Sequence, residues 1–480
     1  MRLRTKMSLA AWLLGALLGL GMMGQTRADS VDDYLKAEMA RRHIPGLSVA
    51  VVQGGKVVKS QGYGSASLEL SVPATAMTAY QIGSLTKQFT AAAILSLAQD
   101  GKLNADDKIT KYLGVLPGSW KAITIRQLLN QTSGIPNYRG GIDIFRGAYL
   151  RDYTGAEIIK LASAHPLLFT PGTQFNYSNT NYHLLGMIVE KVSGKPYAQY
   201  LQTRFFGPLG MTHTRLNDPS IVVANRAQGC LWDGTTLQNS IYVFSPTVAF
   251  GDDGVLSTVD DLVKWDAALD GDALLSPVSK ALLWTPPALP NGAPTEYAGG
   301  WMVTRVGGHA LIWHNGATMA GFTGAIFRFP DDKLTVIALS NGVDIPGLQT
   351  GYPMYALTLG LAKLYLPDLA KADAPVTDTE PQVTQMLRQA LTDLAAGKAD
   401  PSHFTPAMSA ALTRAVIAQT NHNLAPLGTF QPQSLTPVGR ADEGGLRVYR
   451  YRALYGETPV IWMVHLTPEG KIAGMVPQGE

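Results

Sequence analysis

Two strand-like runs, Leu47 to Val52 and Lys56 to Gln61, flank Gln53-Gly54-Gly55, and the glycine pair between them predicts a hairpin. Four more strand runs occupy Gly299 to Val306, His309 to Trp313, Phe322 to Arg328 and Leu334 to Ser340, with Gly307-Gly308 as a second hairpin signal. Between these groups the apolar spacing turns helical. Phe89, Ala93 and Leu97, with Ala92 and Ile94 beside them, mark one core helix that Gly101 ends. Leu184, Leu185, Ile188, Val189 and Val192 mark another, closed by Gly194 and Pro196. A further helix is expected near Gln349 to Leu364. The early and late strands should join in one antiparallel sheet flanked by helices, and the largely helical middle should form a second lobe.

The pattern breaks between Leu366 and Glu380, where Pro367, Pro375 and Pro381 alternate with Asp and Ala. Beyond it residues 382–420 read as helices, with Val383, Met386, Leu387, Ala390, Leu391 and Leu394 on one face. Three strands are expected afterwards, Leu446 to Tyr455, Val460 to Leu466 and Ile472 to Val476, joined by turn-like Gly456-Glu457-Thr458 and Pro468-Glu469-Gly470. The expected organisation is therefore a main domain at 29–366, a linker at 367–381 and a small α+β domain at 382–480. No catalytic set is visible in that last domain, and substrate access, wall binding and dimerisation are all open roles for it.

Residues 1–28 read as a cleavable signal peptide. Arg2, Arg4 and Lys6 precede an apolar stretch from Leu9 to Met23, and Thr26-Arg27-Ala28 makes a small-x-small cleavage pattern. The expected location is periplasmic or secreted; an uncleaved anchor is the alternative, for which the stretch is short. Loss of its four basic residues would turn the formal charge from +3 to −1, which removes the basic excess that nucleic-acid binding needs. Hydrophobic residues make up 46% and charged residues only 16%, so a substantial core is expected. The one cysteine, Cys230, cannot make an internal disulfide.

Against this scaffold three short motifs carry chemistry. Ser84-Leu85-Thr86-Lys87 is the chain's only Ser-x-x-Lys and stands where a loop becomes the first core helix. One turn of helix puts the alcohol and the amine on the same face, and an amine lowered in pKa by burial could take the serine proton during attack. The plain alternative is a helix cap beside a solvated lysine. Tyr177-Ser178-Asn179 follows the turn-rich Thr170-Pro171-Gly172-Thr173 and opens the second helix. There Tyr177 could lower its own pKa against the positive helix end and share a proton with Lys87, while Asn179 could hold the lysine amine and a substrate carbonyl. Taken singly, a half-buried loop aromatic explains Tyr177 better and an ordinary helix N-cap explains Asn179 better. His314-Asn315-Gly316-Ala317 ends a strand run, where Gly316 would let substrate lie close and the Ala317 and Ser84 amides could form an oxyanion hole.

In order and spacing these motifs resemble the serine β-lactamase and penicillin-binding superfamily, in its class C-like branch. The likeness extends to Leu128-Leu129-Asn130-Gln131-Thr132-Ser133-Gly134-Ile135-Pro136, to Pro208-Leu209-Gly210-Met211-Thr212-His213-Thr214 and to Leu256-Ser257-Thr258, covering roughly residues 31–365. The resemblance implies an α/β two-lobed serine β-lactamase-like fold with the C-terminal α+β domain appended. It implies Ser84 as acylated nucleophile, Lys87 and Tyr177 sharing the base and acid roles, and Asn179, His314, Gly316 and Ala317 as substrate-binding residues. Tyr177 as phenolate and Tyr177 as relay both stay open. His314 stands where β-lactamases of this branch usually carry lysine, and a mostly neutral histidine is a weaker holder of a substrate carboxylate. The implied activity is an exported D,D-peptidase or esterase acting on D-alanyl peptides or small esters. Hydrolysis of β-lactams is the alternative, and a non-catalytic wall-binding protein the alternative of another class.

Other sites are not expected. The nine histidines show no His-Glu-x-x-His, so neither a metal nor any other cofactor is foreseen. Gly62-Tyr63-Gly64 lacks the full dinucleotide fingerprint, and no Gly-x-Ser-x-Gly surrounds Ser84. The aspartates at 252, 253, 260 and 261 read as loop and helix-cap residues. The expected partner is a small molecule or a peptide such as a cell-wall peptide, with no nucleic acid and no lasting membrane span; oligomeric state is open.

Overall fold

The computed structural model describes residues 30–141, 151–240, 245–290, 292, 295–344, 352–371, 374–443 and 445–479; the expected signal peptide at 1–28 lies outside them. Helix α1 (30–41) leads into strand β1 (Gly46–Gln53), and β2 (Lys56–Ser67) returns beside it. Gly54 and Gly55 make that turn at φ of 59° and 74°, a region where a side chain is strained. The short β3 (Val72–Pro73) extends the edge before the chain enters helix α2 (Thr86–Gln99). The middle of the chain adds helix α3 (Asn179–Ser193), which packs on α2, and α4 (Val259–Asp270), which packs on the sheet.

Strands β4 (Tyr297–Ala298), β5 (Trp301–Val306), β6 (His309–Thr318), β7 (Phe322–Phe329) and β8 (Leu334–Ser340) then complete one eight-stranded antiparallel sheet. Its order is β3-β2-β1-β8-β7-β6-β5-β4. Strand β1 pairs directly with β8, Leu47 opposite Ser340 and Gln53 opposite Leu334, so the early and late strands are neighbours as expected. Helix α5 (Tyr352–Tyr365) follows.

Strand alternation sorts the side chains into two cores. Val49, Val51, Val336 and Ala338 face one side, where Val31, Leu35, Leu357 and Leu361 from α1 and α5 cover them. Ala50, Ile337 and Leu339 face the other, against Phe89, Leu97, Leu185, Ile188 and Trp265 of the helical lobe. Each fully buried Val, Leu, Ile or Phe among them contributes about 1.5–3 kcal/mol by leaving water. Helix α2 sits inside this second core with every residue from Thr86 to Leu97 buried. Two of its polar positions are engaged there: Gln88 Oε1 accepts from the Trp265 indole at 2.7 Å, and Ser96 accepts from Arg204 at 2.6 Å, while among the described residues Gln88 Nε2 meets no partner.

The C-terminal part has its own core and a four-stranded antiparallel sheet, β9 (Phe430–Glu443), β10 (Leu446–Tyr455), β11 (Thr458–Leu466) and β12 (Ile472–Gly479), on helix α6 (Pro381–Ala395). Strand β9 was absent from the sequence expectation because Pro432 and Pro437 argue against a strand; the ladder accommodates them where its register shifts, between Gln431 and Thr436 and between Pro437 and Gly439. The stretch expected as linker opens with a short helix, Pro367–Lys371, which proline suits as a first helical residue. Val376 then bonds Pro437 of β9 at 2.9 Å. Among the described residues no helix is long and apolar enough to cross a membrane, and no group of His, Cys, Asp and Glu could hold a metal ion.

Candidate active site

The turn that delivers Ser84 is a 3-10 segment, Gly83–Leu85, running straight into α2. Strand β6 lies flat against it. A Cβ on Gly316 would fall 2.1 Å from the Ile82 carbonyl oxygen and 3.1 Å from the Ser84 nitrogen, and one on Gly83 would fall 2.9 Å from the Ala317 nitrogen. Only glycine permits that approach, and it sets the Ser84 and Ala317 amides on the two sides of one contact. The motif was expected to follow the strand, but β6 runs on to Thr318, so His314 and Gly316 lie within it and face the helical lobe.

Three groups converge on the Ser84 hydroxyl. Lys87 Nζ donates to Oγ at 2.8 Å, the Tyr177 hydroxyl donates at 2.9 Å, and Oγ itself donates to Asp253 Oδ1 at 3.1 Å. Lys87 is fully buried, and its Nζ also donates to the Asp252 carbonyl at 2.8 Å. Burial pushes the ammonium down to about 8, against the opposing pull of Asp253 and Asp252. Tyr177 moves the other way. Burial of its hydroxyl end raises it well above the usual phenol range, and the neighbouring Tyr297 adds to this, so the helix-lowered phenolate is corrected to a neutral phenol.

Asn179 is buried at the first turn of α3, and Ser178 rather than Asn179 is the cap residue. Among the described residues its Oδ1 has no hydrogen-bond partner. The bond to the lysine amine foreseen for Asn179 is made instead by the Asp252 carbonyl.

His314 is buried against Tyr177 and Tyr297, with ring centroids 6.0 and 5.7 Å away. Its Nδ1 lies 2.5 Å from the Asn315 carbonyl, which can only accept, so Nδ1 carries the proton and Nε2 accepts from the Tyr297 hydroxyl at 3.2 Å. Burial, with Lys87 nearby, takes the imidazole down to about 3. His314 therefore lines the site as a neutral ring with both nitrogens engaged.

Five residues outside the three motifs join the site: Arg139, Tyr138, Asp252, Asp253 and Gln131. Arg139 donates to Asp252 Oδ2 at 2.8 Å and to Asp253 Oδ2 at 3.0 Å, and Tyr138 donates to Asp252 Oδ2 at 3.0 Å. Burial alone would raise the Asp252 carboxyl, but Arg139, with His183 and Lys87, holds it well below the usual range. The two aspartates expected as loop residues are thus part of the site. A signal existed in the glycines around them: a Cβ on Gly251 would meet the Tyr182 carbonyl at 2.6 Å and one on Gly254 the Ala249 carbonyl at 2.2 Å, so both mark tight packing. Gln131, the fifth, sits at φ 59° and holds the Tyr177 segment. Its carbonyl accepts from Asn176 at 3.0 Å, and its Oε1 accepts from the Ser178 amide at 3.0 Å and from Asn181 at 2.5 Å.

Residues 31–358 match the family model described as Beta-lactamase. The chain is 32% identical to "Protein flp" of Staphylococcus aureus (strain MW2), over 65% of this chain and 62% of that protein, and so spans about three-fifths of that relative's length. It is 30% identical to "Penicillin-binding protein 4*" of Bacillus subtilis (strain 168), over 63% of this chain and 69% of that one. Among solved structures, the octameric penicillin-binding protein homologue from Pyrococcus abyssi superposes with a TM-score of 0.61 at 24% identity, over 93% of this chain and 94% of that chain, a likeness of fold.

Proposed function

The chain belongs to the Beta-lactamase family of serine hydrolases, and we propose that it works through an acyl-enzyme on Ser84, cleaving a small ester or amide. The observation that carries this reading is the convergence of Lys87 Nζ and the Tyr177 hydroxyl on one serine oxygen, at 2.8 and 2.9 Å. With an amine titrating at about 8, roughly one lysine in ten is neutral at pH 7, and that fraction can take the Oγ proton. Oγ then bonds the substrate carbonyl carbon, and the negative charge on its oxygen meets the amides of Ser84 and Ala317. As the bond to the leaving group breaks, the proton passes from Lys87 to that group, with the neutral Tyr177 phenol as relay. Water reverses these steps and frees Ser84.

Asn179, through its unpaired Oδ1, has a place for a substrate N–H donor. Gly316 and Ala317 supply the close strand edge, and His314 a neutral wall. Of the two substrate classes foreseen, D-alanyl peptides with a free carboxylate and small esters, the neutral His314 supports the one without a carboxylate. The pattern at 1–28 supports export as part of this reading.

Mass spectrometry after treatment with a fluorophosphonate, an activated ester or a fluorescent penicillin tests it. An adduct on Ser84 that disappears in Ser84→Ala is expected. No adduct with any of the three would favour the non-catalytic wall binder instead.

A further inference from the structure

We propose that Asp253 selects substrates that carry a protonated amine beside the scissile carbonyl. This rests on the acyl-enzyme reading above and names its substrate class. The premise is geometric: Asp253 is 5% exposed, its Oδ2 is ion-paired to Arg139 at 3.0 Å, and its Oδ1 accepts from the nucleophilic hydroxyl itself at 3.1 Å.

Acylation removes that donor. When Oγ bonds the carbonyl carbon, its hydrogen leaves with Lys87 and then with the departing group, so the ester oxygen has nothing to donate. Asp253 Oδ1 would face it at close range, a buried carboxylate oxygen stripped of its partner, which is costly unless another donor arrives. The substrate is the source within reach. A nitrogen one carbon removed from the carbonyl is held close to Oγ by the covalent geometry of the acyl group, hence close to Oδ1.

Charge decides which nitrogen fits. Around Ser84 stand the carboxylates of Asp252 and Asp253 and the guanidinium of Arg139, which is bonded to both. Once Lys87 has handed its proton to the leaving group and is neutral, these two carboxylates outnumber the one guanidinium among the described residues. The neutral imidazole of His314 adds nothing to the balance. An ammonium restores the charge and supplies strong donors, whereas an acylated nitrogen offers a neutral N–H and a substrate carboxylate is repelled.

The test uses the full chain at pH 7 with three substrates: D-alanine p-nitroanilide, its N-acetyl derivative, and p-nitrophenyl acetate. The free amine should exceed the N-acetyl form in kcat/KM by about tenfold or more, and Asp253→Asn should bring the ratio close to one. A wild-type ratio of one or below overturns the proposal even if the variant fails to fold, as does a ratio that Asp253→Asn leaves unchanged. Turnover of p-nitrophenyl acetate separates the two levels. Loss of that turnover in Ser84→Ala beside a flat amine ratio sinks the Asp253 assignment alone, whereas turnover that survives Ser84→Ala sinks the acyl-enzyme reading and the proposal with it.

Discussion

Gly316 presses on Ile82 so closely that an added Cβ would sit 2.1 Å from the Ile82 carbonyl oxygen. Because Ile82 precedes the turn that carries Ser84, the sheet acts as the template for the nucleophile. Gly316→Ala should push the turn outward and lower the Ser84 acylation rate by about 100-fold, the scale on which small misplacements act. Stopped-flow acylation with an activated ester checks this, and a rate within twofold of wild type would contradict it.

Lys87 ties rate and stability to the same proton. Acylation should rise with pH to a half-maximum near 8, and Lys87→Met should lower kcat/KM by about 10²- to 10⁴-fold. For stability, the folded lysine titrates at about 8 against 10.5 when unfolded. Between those values the unfolded chain holds the extra proton, so stability rises with pH there. Urea melts at pH 8 and pH 10 should show wild type gaining on Lys87→Met across that window; parallel curves would exclude the buried amine.

The segment carrying Tyr177 should loosen when Gln131 is shortened. Gln131→Ala leaves the Ser178 amide and the Asn181 side chain without their acceptor, at a cost of about 1–3 kcal/mol. Thermal melting reads the stability loss. The same variant should slow acylation more than it weakens substrate binding, because Tyr177 bonds the serine oxygen and serves the proton relay rather than holding the substrate. A change confined to KM would argue against this role.

His314 gives the fold an acid-sensitive point. Its imidazole titrates at about 3 when folded and 6.5 when unfolded, so the unfolded chain protonates first and stability is lost as pH falls from 6.5 toward 3. His314→Gln should flatten that limb by about one proton, or roughly 1.4 kcal/mol per pH unit at its steepest. Denaturant melts at pH 4 and pH 7 make the comparison; equal slopes in both proteins would show the ring is not buried as described.

How much of this could be read from the chain depends on how local the cause is. The hairpin at Gly54-Gly55 and the pairing of Ser84 with Lys87 follow from neighbours in sequence, where spacing alone constrains geometry. The sheet's two faces were less accessible, since Leu334 to Ser340 is apolar and buried on both, and only the pleat sorts Val336 and Ala338 from Ile337 and Leu339. Asp252, Asp253 and Arg139 were not, because an aspartate takes its role from a guanidinium 113 residues away. Strand β9 hid behind its prolines, and β6 seemed to stop early because Asn315 and Gly316 are poor strand formers whose places are set by the partner strand and by Ile82.

The pairing of β1 with β8, Leu47 beside Ser340, also governs the order in which this chain can mature. A nascent polypeptide holding Ser84 and Lys87 but not yet β8 lacks the strand that joins β1 to β7, and so cannot hold β6 and its Gly316 against the turn that carries Ser84. On the acyl-enzyme reading, the nascent chain should thus stay inert until β8, which ends at Ser340, has been made. Stalled ribosomal chains of graded length should label with fluorophosphonate only once that strand has emerged.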